Sequence, residues 1–229
     1  MVFSPKLWNV NLLRLIFVLL SLPALVSAQD LNPSDVANFW EYIEENEASL
    51  STNPDIVQMF EKIEIRLDKV HKDLVFEFSS ETVQPRHFVI SAGGISSNFP
   101  AVKELVKAAP DFQNLEIIAF RQPVDNFSSN NLVLGDFSIK TSELSFIYFT
   151  DRDQFDLVVI HDAFSTSARE QAIGYSFLVL DAAVGEYRVA TEVGTIDFLP
   201  KAAISDVYQP LPINLLPLEL DHFIRARIP

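Results

Sequence analysis

Two stretches after residue 30 place apolar side chains at helical spacing. In the first, Ser34 stands where a helix cap is expected, and the apolar face consists of Val36, Phe39, Trp40, Ile43 and Leu50. The second begins at Asn53-Pro54, an asparagine cap followed by a first-turn proline, and its apolar stripe is Ile56, Met59, Phe60, Ile63, Leu67 and Val70. Both stretches predict amphipathic helices that pack on a sheet.

A strand-rich region follows the two helices. "LVFEFS" alternates apolar and polar residues, whereas "HFVISA", "EIIAF", "LSFIYF" and "DLVVIH" contain nearly continuous apolar runs. Such runs are typical of strands that are covered on both faces. "TDRDQF" is typical of a hairpin turn, and "PVDNFSSNN", residues 123–131, is a long polar loop.

A further helix is predicted over residues 168–184. Ser167 and Glu170 fit a capping box at its start, and Gly185 fits its C-terminal stop. Gly174 lies inside this helix, where glycine costs about 1 kcal/mol relative to alanine. We therefore expect the helix to approach the sheet closely at Gly174.

The last part of the chain predicts one more strand region and a short helix. The strand region covers residues 186–199 and can bend at Gly194. A proline-rich tail begins at about residue 202, with a short helix near residues 218–225. Together the elements predict one α+β domain over residues 29–229, with a mainly antiparallel sheet and amphipathic helices.

The first 28 residues are typical of a signal peptide. Lys6 and Arg14 precede an apolar run, Leu15–Val26, and Ala28 offers a small residue before the cleavage site. The alternative is a retained membrane anchor, but the run is shorter than the roughly 20 residues that span a bilayer. We expect cleavage, a periplasmic or secreted location and no stable membrane span afterwards.

Charge and cysteine content narrow the possible partners. The formal net charge is −14, which disfavours binding to nucleic acid and to anionic lipid headgroups. It leaves a protein or a small ligand as the expected partner. The chain has no cysteine, so neither disulfides nor lipid attachment to a thiol can occur. No cofactor is predicted.

The glycine turn in "FVISAGGISSNFPAVKELVKAAP" has the strand–turn–helix layout of a phosphate-binding loop. Gly93 and Gly94 are not followed by the lysine of a P-loop, nor are there the spaced glycines of a dinucleotide fold. Backbone N–H groups at a helix start can hold an anion without a motif. However, side chains suited to capping these groups follow, namely Ser96, Ser97 and Asn98. The pattern favours a structural turn over an anion site.

Two groups of residues could bind a metal. Asp151, Asp153 and Asp156 could hold calcium, but Phe155 and the lack of a glycine do not fit an EF-hand loop. His161-Asp162, with His71 or His87, could hold zinc, but cysteines and closely paired histidines are absent. The interpretation is a solvated hairpin tip and no metal site, with calcium-stabilised structure as the alternative.

Hydrolytic chemistry has one candidate set. There is no GxSxG motif and no cysteine nucleophile. His161, Asp162, Glu186 and Tyr187 could still surround a cleft in which Glu186 acts as the acid and Tyr187 orients it. If these four side chains converge in one pocket, a hydrolase-like enzyme is favoured.

Several stretches carry a resemblance to other proteins, namely "FWEYIEENEASL", "VHKDLVFEFSSE", "IIAFR" and "IGYSFLVLDAAVGEYRVATEVGTIDF" together with the glycine-turn stretch. They span residues 39–198. In these stretches the chain resembles a family of uncharacterised bacterial single-domain proteins with no known activity. The resemblance implies no catalytic residue, and the signal segment departs from the family. The overall expectation is an exported, non-catalytic module that binds a protein or a small ligand.

Overall fold

The computed structural model describes residues 2–3, 31–52, 57–129, 133–134, 137–151 and 153–227. Apart from residues 2 and 3, the predicted signal segment 1–28 lies outside the described residues, and so does the predicted helix start at Asn53-Pro54. Contacts divide the chain into two compact units, Met1–Phe120 and Arg121–Pro229. Each unit is described by itself, and the assignment of residues 29–229 to a single domain stays a prediction.

In the residues that the structure describes, the first unit has a small mixed sheet and four helices. The helices are α1 (Pro33–Glu45), α2 (Glu47–Thr52), α3 (Val57–Val70) and α4 (Phe99–Lys107), and the strands are β1 (Val2–Phe3), β2 (Val75–Phe78), β3 (Arg86–Ser91) and β4 (Leu115–Ala119). The strand order is β1-β2-β3-β4. Neighbours are antiparallel except β3 and β4, which are parallel and joined through α4.

Aromatic side chains form the core of the first unit, as the helical and strand patterns predicted. Phe78 of β2 stacks on Phe88 of β3 with ring centroids 4.5 Å apart, and Phe60 of α3 stacks on Phe78 at 5.8 Å. From α1, Phe39 and Trp40 pack against Phe88. These rings join α1 and α3 to one sheet because burial of aromatic surface is the main stabilising term available to a chain without disulfides.

Helix α1 begins two residues earlier than predicted. Its cap is Asn32, whose side-chain oxygen accepts hydrogen bonds from the backbone N–H of Ser34 at 3.0 Å and from the Ser34 hydroxyl at 2.8 Å. The prediction that Ser34 caps the helix is wrong, because Pro33 occupies the first turn and leaves the capping position to Asn32. Leu50 belongs to α2, beyond a break at Asn46.

The second unit contains another mixed sheet, a separate strand pair and helices. Its strands are β5 (Val133–Leu134), β6 (Phe137–Ser138), β7 (Ser145–Asp151), β8 (Gln154–Ile160), β9 (Ile196–Leu199) and β10 (Leu211–Pro212), and its helices are α5 (Arg169–Val184), α6 (Glu186–Glu192) and α7 (Leu216–Arg227). The main sheet has the order β10-β7-β8-β9, with β8 and β9 parallel, and β5 pairs with β6 separately. The predicted hairpin is confirmed, since Asp151 of β7 pairs with Gln154 of β8.

One face of this sheet carries the core of the second unit. The strands contribute Phe146, Phe155, Leu157, Val159 and Phe198, and the helices contribute Ala172, Tyr175, Val179, Ala183, Leu216 and Leu220. The hydroxyl of Tyr175 is buried in this core and satisfied twice. It donates to the carbonyl of Ile139 at 2.6 Å and contacts the hydroxyl of Thr141 at 2.7 Å.

Residues 186–199 differ from the prediction of a bent strand. Glu186–Glu192 is helix α6, and only Ile196–Leu199 is a strand. Val189 and Val193 are buried in the core at helical spacing, and Arg188 pairs with Glu192 one turn later at 2.6 Å. These contacts favour a helix in a segment whose apolar alternation alone resembles a strand.

The predicted helix over residues 168–184 is confirmed as α5, with two corrections. It ends where Gly185 adopts a φ of +92°, as predicted, but no side chain caps its start at Ala168, so the capping box of Ser167 and Glu170 is wrong. Gly174 is exposed, and a Cβ built there would meet no atom within 4 Å. Close approach to the sheet therefore does not explain Gly174.

The α+β fold class is confirmed, because helices pack on two mixed sheets in which most strand pairs are antiparallel. Both units share an arrangement of an antiparallel strand pair followed by a helical connection to a parallel strand, β2-β3-α4-β4 and β7-β8-α5-α6-β9. Within the part of the chain that the structure describes, the helices are too short or too polar to cross a membrane.

Candidate functional site

His161 and Asp162, two members of the candidate hydrolase set, contact different partners at the end of β8. His161 Nδ1 accepts a hydrogen bond from the backbone N–H of Ala163 at 3.1 Å, and its Nε2 lies 3.8 Å from Glu143. Asp162 faces Lys201, accepting from its backbone N–H at 3.2 Å and lying 3.7 Å from its Nζ. His161 is thus held by Ala163, and Asp162 is held by Lys201.

Glu186 and Tyr187 begin α6 and lie in opposite environments. Glu186 is only 1% exposed, and its Oε2 accepts a hydrogen bond from the backbone N–H of Arg121 at 3.1 Å. Tyr187 is 41% exposed. The partners of His161, Asp162 and Glu186 therefore differ from one another, and this arrangement does not favour a shared catalytic pocket.

A buried cluster of charged side chains surrounds Glu186 instead. Arg121 Nη1 lies 3.1 Å from Asp181 Oδ2, and the two side chains are only 6% and 7% exposed. Glu186 in turn donates its backbone N–H to the carbonyl of Arg121 at 3.0 Å. The cluster fastens the segment that starts at Arg121 to the junction of α5 and α6, which is a structural role.

Gly185 is needed at this junction. Its φ of +92° is a backbone conformation that residues with a side chain rarely adopt. A Cβ at this position would also approach the ring of Pro123 to 3.2 Å. One residue further, the backbone N–H of Val124 donates to the carbonyl of Ala182 at 2.8 Å. No spacing in the sequence indicated the Arg121–Asp181 pair, because its members are 60 residues apart.

The glycine turn of the first unit adopts the left-handed conformations that its residues allow. Gly93 has a φ of +63° and Gly94 a φ of +81°, and the hydroxyl of Ser91 accepts the N–H of Gly93 at 3.0 Å. The expected caps are wrong, however. Neither the short 3-10 turn Ser96–Asn98 nor α4 has a side-chain cap, and the backbone N–H of Phe99 bonds to the carbonyl of Ser96.

The three aspartates of the predicted hairpin tip have separate environments. Asp156 Oδ1 accepts hydrogen bonds from the backbone N–H of Thr195 at 2.7 Å and from its hydroxyl at 2.9 Å. Asp153 lies 3.4 Å from Arg227, and Asp151 ends β7. Among the described residues, no three histidine, aspartate or glutamate side chains are grouped closely enough to hold a metal ion.

The other histidines named as possible metal ligands have protein partners within the first unit. His87 Nε2 lies 3.3 Å from Glu116 Oε2, which is on the neighbouring strand β4. His71 Nδ1 accepts the backbone N–H of Asp73 at 3.4 Å, as part of the turn that leads from α3 to β2. Both contacts are local to the sheet or the turn.

The first unit has a cleft of about 410 Å³ between α1 and α3. Its floor includes Tyr42, with the guanidinium of Arg66 3.9 Å from the ring centroid. Burial raises the pKa of Tyr42, and the charge of Arg66 partly opposes that shift. Other lining residues are Asp35, Glu45, Ile65 and Lys69. The lining is mostly charged and provides little apolar surface for a ligand.

The second unit exposes a group of large apolar side chains, Phe149, Val207 and Tyr208, which we call the Phe149 patch. Their exposed fractions are 43%, 81% and 44%. The rings of Phe149 and Tyr208 meet edge to face with centroids 5.6 Å apart. The patch is therefore a contiguous aromatic surface beside a further apolar residue.

The Phe149 patch extends the outer face of the β7–β8 sheet. On that face Ile147, Val158 and Ile160 are buried, with Ile204 of the following segment packed against them. Phe149 follows Ile147 by two residues and therefore lies on the same face. The run "LSFIYF" predicted a strand covered on both faces, but at Phe149 this prediction is wrong because the cover provided by Ile204 does not reach that far.

The edge of β7 next to the patch is only partly paired. Strand β10 pairs with β7 through Leu211 and Pro212 alone, opposite Phe146 and Ser145. One step further along, the N–H of Ile213 donates to the carbonyl of Leu144 at 3.1 Å.

Hydrogen-bonding residues alternate along an antiparallel edge, so Tyr148 and Thr150 point their backbone groups to the same side as Leu144. In the described chain no strand pairs with them there.

No family model matches the chain, and no curated protein or solved structure is significantly similar to it. The resemblance to a family of uncharacterised bacterial single-domain proteins stays a prediction.

Proposed function

We propose that this protein is an exported, non-catalytic binding module whose partner is another protein. The observation that carries the proposal is the Phe149 patch, which exposes two aromatic rings in contact and a valine beside them. Contiguous exposed apolar groups of this kind are typical of protein interaction sites, and aromatic residues are enriched at interface centres. Isolated exposed apolar residues are common on protein surfaces and do not by themselves indicate a binding site.

A protein partner fits the structure better than a small ligand. Small-ligand sites are concave and mostly apolar, with a few polar groups for orientation. The cleft between α1 and α3 is lined mainly by charged side chains, whereas the Phe149 patch exposes apolar side chains on a sheet face. Exposed aromatic surface of this kind suits contact with a second protein surface.

The hydrolase alternative receives no support from the candidate side chains. His161 pairs with Glu143, Asp162 with Lys201, and Glu186 accepts a hydrogen bond from the backbone of Arg121. A general acid and the group that orients it must both lie within hydrogen-bonding distance of the reacting part of the substrate. Accordingly, we propose one function only.

Export is the second part of the proposal, and the signal-like segment 1–28 supports it. Cleavage after Ala28 would also remove β1, whose Val2 and Phe3 pair with Phe78 and Glu77 of β2. The test is to express the full chain with a C-terminal tag, fractionate the cells and determine the first residue by mass spectrometry. We expect protein beginning at Gln29 in the extracytoplasmic fraction. Protein that retains Met1 would overturn the export proposal.

Binding is tested by capture from the extracytoplasmic fraction on immobilised residues 29–229. The informative comparison is between the unmodified bait and a Phe149→Ser/Tyr208→Ser bait, each checked for folding by circular dichroism. Ile65→Ser is the matched control, because Ile65 is 52% exposed but lies in the first unit. We expect a protein that the unmodified and Ile65→Ser baits retain and the double variant loses. Equal capture by all three baits contradicts the proposal.

A further inference from the structure

We propose that the open edge of β7, at Tyr148 and Thr150, binds an extended segment of the partner protein by strand addition. The segment alternates apolar and basic side chains. This inference rests on the proposed binding function and specifies the partner's conformation and chemistry. An open strand edge offers unpaired N–H and C=O groups, which are the template for β-augmentation.

The register of β7 and β10 shows why this edge stays open within the described part of the chain. Continuing the β7–β10 register beyond Leu211 would place Gln209 opposite Tyr148 and Val207 opposite Thr150. Instead, the N–H of Tyr208 donates to the carbonyl of Ser205 at 3.0 Å, so a turn takes this segment out of the ladder. Pro210 is not the cause, because in this register its missing N–H would face away from β7.

The Phe149 patch supplies the apolar contact for an added strand. In an antiparallel addition, the residue opposite Phe149 occupies a non-hydrogen-bonded position, where facing side chains are close. Its side chain lies on the same face as Phe149 and meets that ring, with Tyr208 as the neighbouring wall. An apolar side chain is required at this position of the segment.

Charge complementarity favours basic side chains beside the apolar one. Asp151 lies two residues beyond Phe149 on the same sheet face, and Asp206 directly precedes Val207. Both aspartates are exposed. The formal net charge of −14 adds long-range attraction for a basic segment.

A second copy of this chain is a weaker candidate for the same edge. Pairing β7 with β7 of another copy would bring Asp151 and Asp206 of both copies into one interface. Like charges brought into one interface repel each other. A basic segment of a partner protein has no such repulsion. The experiment below distinguishes this segment from a second copy of the chain.

The probe is a fluorescein-labelled octapeptide of alternating lysine and valine, titrated into residues 29–229 and followed by fluorescence anisotropy. Three control peptides separate the contributions of positive charge, backbone hydrogen bonding and apolar side chains to binding. One alternates glutamate and valine, one is the lysine–valine peptide N-methylated at every second amide, and one is octalysine. We expect each control to bind at least about tenfold more weakly, because tenfold corresponds to the loss of a single good interaction.

Variants of the protein locate the binding site. Thr150→Pro removes an N–H on the open edge that β8 does not use, and proline is tolerated on such edges. Thr150→Val keeps the N–H and is the matched control. We expect Thr150→Pro and Phe149→Ser to weaken binding at least about tenfold, and Thr150→Val to leave it within about twofold, with circular dichroism showing each variant folded.

Several results would overturn the inference. Equal binding of the N-methylated peptide excludes backbone pairing, and equal binding of octalysine shows attraction by charge alone. If unmodified protein sediments as a dimer and Thr150→Pro as a monomer, the occupant is a second copy. If a captured partner is lost with Phe149→Ser but retained with Thr150→Pro, the proposed binding function stands and strand addition fails.

Discussion

Asp156 of β8 holds Thr195 by two hydrogen bonds, at 2.7 Å to the backbone N–H and 2.9 Å to the hydroxyl. The residue before Thr195 is Gly194, and a Cβ built on it would overlap the same carboxylate oxygen of Asp156. The glycine therefore allows the aspartate to anchor the start of β9 against β8. The sequence made Asp156 a candidate calcium ligand, but in the structure its carboxylate anchors a strand.

We expect Gly194→Ala to lower the free energy of unfolding by about 1–3 kcal/mol, the usual cost of overpacking. The new methyl group must displace Asp156, which breaks the two hydrogen bonds to Thr195. Urea unfolding monitored by circular dichroism measures the change. In an Asp156→Ala background the same substitution should cost much less, because the overlapping atom is gone. An equal cost in both backgrounds would refute this explanation.

Gly174→Ala should have the opposite effect. Gly174 lies inside α5, it is exposed, and a Cβ there meets no atom within 4 Å. Alanine has the higher helix propensity, so we expect the free energy of unfolding to rise by up to about 1 kcal/mol. A higher thermal midpoint would confirm the expectation. A lower thermal midpoint would contradict this expectation and show that the open space around Gly174 does not make alanine acceptable there.

The buried pair of Arg121 and Asp181 predicts a large effect from a single truncation. Asp181→Ala leaves a guanidinium buried without this carboxylate, and breaking such a pair costs about 3–5 kcal/mol. The matched control is Lys140→Ala, which breaks an exposed pair with Glu143 and should change stability by about 0.5 kcal/mol or less. Similar small effects of both substitutions in urea unfolding would contradict this assignment.

Local patterns predicted those elements whose signals are contained in a few neighbouring residues. The β7–β8 hairpin follows from a polar break between apolar runs, and the end of α5 follows from Gly185, which reaches a φ of +92°. Caps were less predictable. Ser34 and Asn32 are both good caps, and the position of Pro33 decides between them.

Tertiary contacts decided what the sequence pattern left open. Residues 186–192 form a helix because Val189 and Val193 are buried together at helical spacing, which an alternating pattern does not reveal. The same limit applies to the site. The exposure of Phe149 depends on how far the segment around Ile204 extends over the sheet, and the pairing of Arg121 with Asp181 joins residues distant in sequence.

Tyr148 and Glu219 connect β7 to α7 through a hydrogen bond of 2.8 Å. The hydrogen bond to Glu219 raises the pKa of Tyr148 above its ordinary value of 10.0, and burial and the negative charge of Glu219 act in the same direction. The folded state therefore favours the protonated phenol. Its stabilising contribution is complete below pH 10.0 and is lost as the pH rises through the pKa of the folded state.

We expect Tyr148→Phe to reduce the loss of stability above pH 10.0 while lowering stability slightly at neutral pH, where the hydrogen bond is intact. Urea unfolding at several alkaline pH values, compared between the two proteins, measures the difference. Glu219→Gln is the matched control, because it removes the charge and should bring the titration of Tyr148, followed by phenolate absorbance, closer to the ordinary value. Parallel stability curves for Tyr148→Phe and the unmodified protein would show that Tyr148 does not titrate differently on folding.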